Sequence, residues 1–258
     1  MIWTNTILFD KYLLPKEVTL DKSKATSIIL GAGPINIKEF PNVRTVFRAG
    51  VGTDNINFSS PKVIFPSGKT KELIYEETAN FTCYLIFRAL YDRVGDFSSW
   101  SSVERNILRN KKLLIIGLGN IGSRVLNKMS SFIENISTYD ALYDRSPPNY
   151  SEADAICLHI PSTKENENFI NKRILDKLKD DVVLVNTARG NIVNEDDLYD
   201  KMKYSDMVAA FDVFWEEPYR GKLTEFAPDK FIRTPHIASS SIEFIEGCFE
   251  DFRRRGLT

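Results

Sequence analysis

Apolar residues in the first 65 positions come in short runs between turns. The runs cover 6–9, 27–30, 43–47 and 62–65. Between them lie Pro15, the turn Gly31-Ala32-Gly33-Pro34, Pro41 and the loop 50–57. Short apolar runs bounded by Gly and Pro predict strands, and the short spacers leave room only for helices of a few turns. From residue 76 to about 93 the rhythm changes. Ala79, Cys83, Ile86, Phe87 and Leu90 recur at three- and four-residue steps, which predicts one helix joining two regions of different texture.

A polar stretch with four serines, 96–110, comes next. Beyond it the chain alternates. Strands are predicted at 112–116, 136–139, 155–159, 182–186, 207–211 and 231–233, with helices at 121–132, 171–178 and 195–202. Alternation of helices with fully apolar, β-branched strands predicts an α/β fold whose parallel sheet is covered on both faces. The segment 239–255 predicts a last helix with Ile242, Ile245, Phe249 and Phe252 on one face. The run Arg253-Arg254-Arg255 suits the negative end of that helix better than it suits a nucleic acid.

One turn carries chemistry. The sequence KKLLIIGLGNIGSRVLNKM sets Gly117, Gly119 and Gly122 in GxGxxG spacing, directly after a predicted strand and opening a helix. That context is what the dinucleotide fingerprint requires. Gly117 permits the tight turn, Gly119 lets a pyrophosphate approach, and Gly122 lets helix and strand pack closely. Asn120 and Ile121 lie between them, where the helix N-terminus offers N–H groups and a positive dipole end to phosphates. Asp140 stands 23 residues after Gly117, at the end of the next strand. A carboxylate there accepts from the adenosine ribose hydroxyls and repels a 2′-phosphate, which points to NAD as the cofactor.

Composition narrows the classes further. Lys+Arg is 34 and Asp+Glu is 35, a net charge of -1, so there is no global footprint for nucleic acid or an anionic membrane. The chain is 43% apolar and 27% charged, ordinary for a folded globule of 258 residues. No apolar run approaches the roughly 20 residues of a membrane helix, and the first residues lack the pattern of a signal peptide. Neither nucleic acid nor membrane is expected as a partner. Three widely spaced cysteines, Cys83, Cys157 and Cys248, make no CxxC motif. They suit a reducing, cytoplasmic location, and no metal site is expected. With only His159 and His236, chemistry that needs imidazole near neutral pH has two candidates.

Three later segments hold the polar candidates: LVNTARGNIVNEDDL (184–198), AAFDVFWEEP (209–218) and TPHIASSS (234–241). Arg189, Glu217 and His236 each follow a predicted strand, at the carboxyl edge where open α/β sheets bind ligands. Taken singly, each has a plain alternative: a surface ion pair for Arg189, an exposed acid beside Glu216 for Glu217, a structural imidazole for His236.

Together with GLGNIG and RAGVGTDNIN (48–57), these segments resemble the D-isomer-specific 2-hydroxyacid dehydrogenases, from about residue 43 onward. The resemblance implies a Rossmann-type, parallel-sheet cofactor domain at 86–238. It also implies a smaller flavodoxin-like α/β substrate domain at 1–85, completed by the helix 239–258. It implies hydride transfer between NAD(H) and a small D-2-hydroxy acid or 2-keto acid, in a cleft that closes on its substrate, and a homodimer. Arg189 matches the substrate-binding arginine, Glu217 the catalytic acid before proline, and His236 the proton donor. A guanidinium can hold the carboxylate and polarise the adjacent carbonyl. An imidazolium can protonate the developing alkoxide, and a carboxylate beside it favours that charged form and fixes its orientation.

By the same resemblance Thr187, Ala188 and Asp212 line the nicotinamide, and His159 and Pro161 form part of its wall, with His159 as scaffold. In the glycine loop, Val51 and Gly52 hold the substrate carboxylate by backbone amides, and Arg48 adds a charge. Two segments are shorter than the family pattern: the region before the connecting helix, and 140–155, where a helix and a strand are missing beside the adenosine pocket. An alternative on the same fold is an NAD-binding, co-repressor-like regulatory protein without significant turnover.

Overall fold

The computed structural model of the chain describes residues 1–91 and 95–255. Packing divides the chain into two units, Met1–Glu77 with Ser239–Thr258, and Thr78–Ala238.

The first unit holds strands β1 (Ile2–Thr4), β2 (Ser27–Leu30), β3 (Thr45–Arg48) and β4 (Lys62–Ile64), all parallel and in that order. On the free side of β1, Val18 makes a single parallel bridge to Ile2, with Thr19 N–H donating to the Ile2 carbonyl at 2.9 Å. That bridge occupies the outer place of the 2-1-3-4-5 flavodoxin order. The second strand is thus reduced to one residue pair. The strand expected at 6–9 is not formed; the first strand lies at Ile2–Thr4 instead. Thr6 N–H donates to Thr4 Oγ1 at 3.1 Å and Leu8 N–H to Thr6 Oγ1 at 3.3 Å. Hydroxyls that satisfy nearby amides compete with a sheet ladder. Phe9 still enters the core.

Helix α1 spans Gly68–Leu90, beginning well before the expected residue 76. Its start is capped from far away: the Asp251 carboxylate accepts from Ser67 N–H and Thr70 Oγ1, both at 2.7 Å. The expected end near 93 lies outside the described residues. Asp251 sits on α5 (Ile242–Arg254), whose buried stripe is Phe244, Cys248 and Phe252. Each such Phe is worth about 1.5–3 kcal/mol of burial. Ile242, expected on that face, is exposed. Arg253 makes two 2.9 Å bonds to the Glu17 carboxylate, which ties the helix end to the chain beside Val18.

The second unit has a six-stranded parallel sheet. Its strands are β5 (Lys112–Ile116), β6 (Asn135–Tyr139), β7 (Ala155–Leu158), β8 (Val183–Asn186), β9 (Val208–Phe211) and β10 (Phe231–Arg233), in the order β10-β9-β8-β7-β5-β6. Alternate residues feed two cores. Leu113, Ile115, Cys157 and Val185 pack with α1 and with α2 (Gly122–Met129). Leu114, Ile116, Leu158 and Leu184 pack with α3 (Lys172–Leu175) and α4 (Glu195–Lys203). Burial on both faces explains why these strands read as unbroken apolar runs. Helix α2 is shorter than expected; Ser130 Oγ donates back to the Asn127 carbonyl at 2.8 Å and closes its last turn. Helix α3 is shorter still. Among the described residues, 140–154 holds turns and a 3-10 turn at Tyr150–Glu152 in place of a third strand beyond β6.

From β5 the chain passes to β6 on one side and then returns to β7 on the other. Strand order reverses between β5 and β7, and the crevice at their carboxyl ends is the expected ligand position.

Candidate active site

The glycine turn opens at that crevice. Gly117 has φ +94°, and a side chain there would come within 2.7 Å of the His159 backbone. Its N–H donates to the Tyr139 carbonyl at 2.7 Å. A side chain at Gly122 would lie 1.9 Å from the Gly117 carbonyl, whereas nothing lies within 4 Å of the corresponding position at Gly119. Two glycines are therefore packed shut and the middle one is open, which fits a pyrophosphate approaching the backbone. Asn120 is exposed, while Ile121 packs its side chain against the α1–α2 core.

Asp140 closes the turn from the other side. One carboxylate oxygen accepts from Leu118 N–H at 2.8 Å and the other from Leu142 N–H at 3.0 Å. It braces the glycine turn. His159 N–H donates to the Ile116 carbonyl at 2.7 Å, joining β7 to β5. Its imidazole Nε2 is buried without a protein partner. Burial pushes this imidazole down to about 3, so it stays neutral near pH 7. Pro161 is exposed, and its carbonyl accepts from Asn166 Nδ2 at 2.9 Å.

At the same sheet edge, beyond β8, β9 and β10, stand Arg189, Glu217 and His236. His236 Nδ1 lies 2.8 Å and 3.0 Å from the two Glu217 carboxylate oxygens. An ionised carboxylate only accepts, so Nδ1 carries the proton. Phe214 N–H donates to Glu217 Oε1 at 3.2 Å. Partial burial raises the Glu217 carboxyl, but the His236 hydrogen bond and charge, the Phe214 amide and the Arg189 charge outweigh it and hold it below the usual range. Arg189 also donates to the Ala188 carbonyl at 2.7 Å. A cavity of about 440 Å³ adjoins the pair, walled by Phe214, Pro218, Tyr219, Arg233 and Pro235.

His236 has φ +53°, in the left-handed region. Such a conformation costs a non-glycine residue roughly 1–3 kcal/mol and persists only where its surroundings fix it. Asp212, buried at the end of β9, does so. It accepts from Thr234 Oγ1 at 2.6 Å, Ile237 N–H at 2.9 Å and Ala238 N–H at 2.9 Å, on both sides of His236. Burial still pushes the Asp212 carboxyl above its usual range despite these donors.

Thr187 is buried. Thr82 Oγ1 donates to the Thr78 carbonyl at 2.8 Å and lies 2.8 Å from Thr187 Oγ1, so Thr187 donates to Thr82. Asn186, not singled out by sequence reasoning, shapes the turn that presents Arg189. It accepts from Ala188 N–H at 3.0 Å and donates to the Arg189 carbonyl at 2.8 Å. Thr234 was also missed. The only sequence signals for either were their places inside the NTARG and TPH phrases.

In the first unit, Arg48 is buried. Its guanidinium donates to the carbonyls of Gly52 at 2.9 Å, Leu30 at 3.2 Å and Ala49 at 3.4 Å. The expected charge contact to substrate thus meets a side chain committed to the shape of its own loop. Asn55 adds a second tie, donating to the carbonyls of Gly31 and Gly33 at 2.9 Å and 2.7 Å. Val51 and Gly52 are partly exposed between these anchors.

Residues 91–238 match the family described as D-isomer specific 2-hydroxyacid dehydrogenase, NAD binding domain. Hydroxypyruvate reductase of Thermotoga maritima is 31% identical over 91% of this chain and 83% of its own length. D-3-phosphoglycerate dehydrogenase of Archaeoglobus fulgidus is 30% identical over 80% of this chain, which covers only 43% of that protein. The crystal structure of a D-lactate dehydrogenase from Aquifex aeolicus, complexed with NAD and lactic acid, superposes with a TM-score of 0.78 at 22% identity, covering 99% of this chain and 93% of that one. By the family match and the Thermotoga likeness, the chain belongs to the D-isomer-specific 2-hydroxyacid dehydrogenases, and residues 91–238 are its NAD-binding domain.

Proposed function

We propose that the protein interconverts a small 2-keto acid and its D-2-hydroxy acid, with His236 as the proton donor. The observation that carries this reading is the His236–Glu217 pair beside Arg189, at the sheet edge that also carries the glycine turn. When bound, NAD(H) supplies or accepts the hydride. Arg189 pairs with the substrate carboxylate and polarises the neighbouring carbonyl. His236, with Nδ1 held by Glu217, presents Nε2 to the carbonyl oxygen and gives up its proton as charge develops there. In the reverse direction the same nitrogen takes the proton. Asp212 keeps the turn 234–238 in place through both directions.

The cofactor side rests on the open position above Gly119, flanked by Asn120 and Ile121, on Thr187 and Ala188 after β8, and on His159 and Pro161 after β7. Asp140 reads the adenosine ribose and favours NAD over NADP. The amides of Val51 and Gly52 take up a carboxylate in a loop whose shape Arg48 sets. The unit containing β1–β4 and α5 is assigned to the substrate and the unit containing β5–β10 to the cofactor. Hydroxypyruvate, glyoxylate and phosphohydroxypyruvate are the substrates to try first, after the relatives named above and a glyoxylate reductase of Thermofilum pendens that is 29% identical over 79% of this chain. The test is NADH oxidation with each of these acids and with pyruvate, by the wild type and by His236→Ala.

We further propose a homodimer formed through the segment after α1. Phe97 and Trp100 are 87% and 81% exposed and meet edge to face at 5.5 Å, with Ile107 also exposed nearby in sequence. Exposed aromatic clusters of this kind mark interaction surfaces. Light scattering on the wild type and on Trp100→Glu checks it: a dimer mass that falls to the monomer in the variant is expected. No described helix is long and apolar enough to cross a membrane, and Cys83, Cys157 and Cys248 are buried with no disulfide between them. A cytoplasmic location accords with both.

A further inference from the structure

Glu217 sits in a short turn whose ends are closed by two aromatic rings. Phe214, three residues before it, stacks on Tyr219, two residues after it, with centroids 4.9 Å apart and planes 17° from parallel. Both rings meet the edge of Phe231, at 6.3 Å and 6.2 Å. Phe231 is the fully buried first residue of β10, the strand that leads into the His236 turn. The clasp therefore rests on the element that delivers the histidine.

A polar tie fixes it on the other side. Tyr219 Oη donates to Glu195 Oε1 at 2.6 Å and accepts from Leu223 N–H at 3.2 Å. Glu195 is the first residue of α4, a helix capped by Asn194. A side chain at Gly221 would come within 2.4 Å of both Tyr219 Oη and Glu195 Oε1, so backbone encloses the bond. Trp215 Nε1 donates to the Val193 carbonyl at 2.7 Å, anchoring the same turn to the residues before α4. The Phe214 amide, the one that donates to Glu217, belongs to this clasp.

We infer that Phe214 and Tyr219 form a positioning clasp: their stack and the Tyr219–Glu195 bond hold Glu217 in register with His236. This rests on the dehydrogenase reading, in which that register sets proton transfer. Simple packing would need neither the enclosed phenol–carboxylate bond nor the Phe214 amide aimed at Glu217.

The test uses Tyr219→Phe, Tyr219→Leu, Glu195→Ala and Glu195→Gln in the full chain. Misplacing a reacting group by a fraction of an ångström to 1 Å costs up to about 10²-fold. Tyr219→Phe and Glu195→Ala should therefore lower kcat about 10-fold and Tyr219→Leu up to about 10²-fold. NADH affinity should stay within roughly twofold, since the cofactor groups are untouched. Glu195→Gln retains an acceptor for the phenol and should restore most of the activity. The low-pH limb of kcat/KM should move to higher pH in the weakened variants, because Glu217 loses the bonds that hold its carboxyl down. The proposal fails if kcat drops only with the folded fraction, if the limb does not move, or if Glu195→Gln behaves as Glu195→Ala does. A ¹³C titration of the Glu217 carboxyl in wild type and Tyr219→Leu reads the clasp without turnover. A wild type that turns over nothing yet shows that carboxyl rising in the variant defeats the dehydrogenase reading and leaves the clasp standing; an unmoved carboxyl defeats the clasp.

Discussion

His236 Nδ1 faces both oxygens of Glu217, at 2.8 Å and 3.0 Å. The imidazole is thereby fixed in one tautomer, which leaves Nε2 for the proton transfer proposed above. His236→Asn should lower kcat by roughly 10²–10⁴-fold, the usual worth of a positioned acid–base group. NADH affinity, measured by fluorescence quenching, should be unchanged.

The pH profile follows from Glu217. Its carboxyl is held below the ordinary range, so the pair survives acidification that protonates free carboxylates. Activity should hold as pH falls through the ordinary glutamate value of about 4.3 and decline only below it. Glu217→Gln should remove that limb and lower kcat, as seen in kcat/KM recorded against pH.

Asp212 is a separate support. Three donors converge on its buried carboxylate. An amide there would turn its NH₂ toward one of them. Asp212→Asn should cost about 1–3 kcal/mol of stability through the group left unpaired and should lower kcat by releasing the His236 turn. Thermal melting and steady-state rates check both parts.

Asp140 braces Leu118, and the proposed function also gives it the adenosine ribose to read. Asp140→Ala should therefore weaken NADH binding and also narrow the preference for NADH over NADPH. Titration with both cofactors separates the effects: a brace alone would weaken the two equally.

The hold of α5 on the N-terminal unit depends on acid. Arg253 hydrogen bonds lower the Glu17 carboxyl to about 2. A carboxyl lowered on folding stabilises the fold above its unfolded value, near ~4.3, and that contribution fades as pH falls through the folded one. Melting temperature should drop between those limits more steeply in wild type than in Glu17→Gln. The pair is partly exposed, so salt should shrink the difference.

What the sequence revealed depended on how local each cause is. Runs such as Lys112–Ile116 are apolar because both faces are covered, so the parallel sheet could be read directly. Arg189, Glu217 and His236 stood out because their phrases follow those strands. The early start of α1 could not be read, since its cap, Asp251, lies 184 residues from Ser67. The failed strand at 6–9 turned on two threonine hydroxyls that periodicity ignores. The role of Arg48 was hidden for a similar reason: an arginine after a strand looks the same whether it faces solvent or folds back onto carbonyls. The Tyr219–Glu195 tie joins two segments 24 residues apart and leaves no spacing signal.

The most direct measurement is NADH oxidation with glyoxylate, hydroxypyruvate, pyruvate and phosphohydroxypyruvate, run side by side on wild type and His236→Ala. At least one acid should be reduced to its D-2-hydroxy acid by the wild type, with the rate falling by roughly 10² or more in the variant. NADH binding without reduction of any 2-keto acid, or equal rates for the two proteins, would contradict the assignment of His236 as the proton donor of a dehydrogenase.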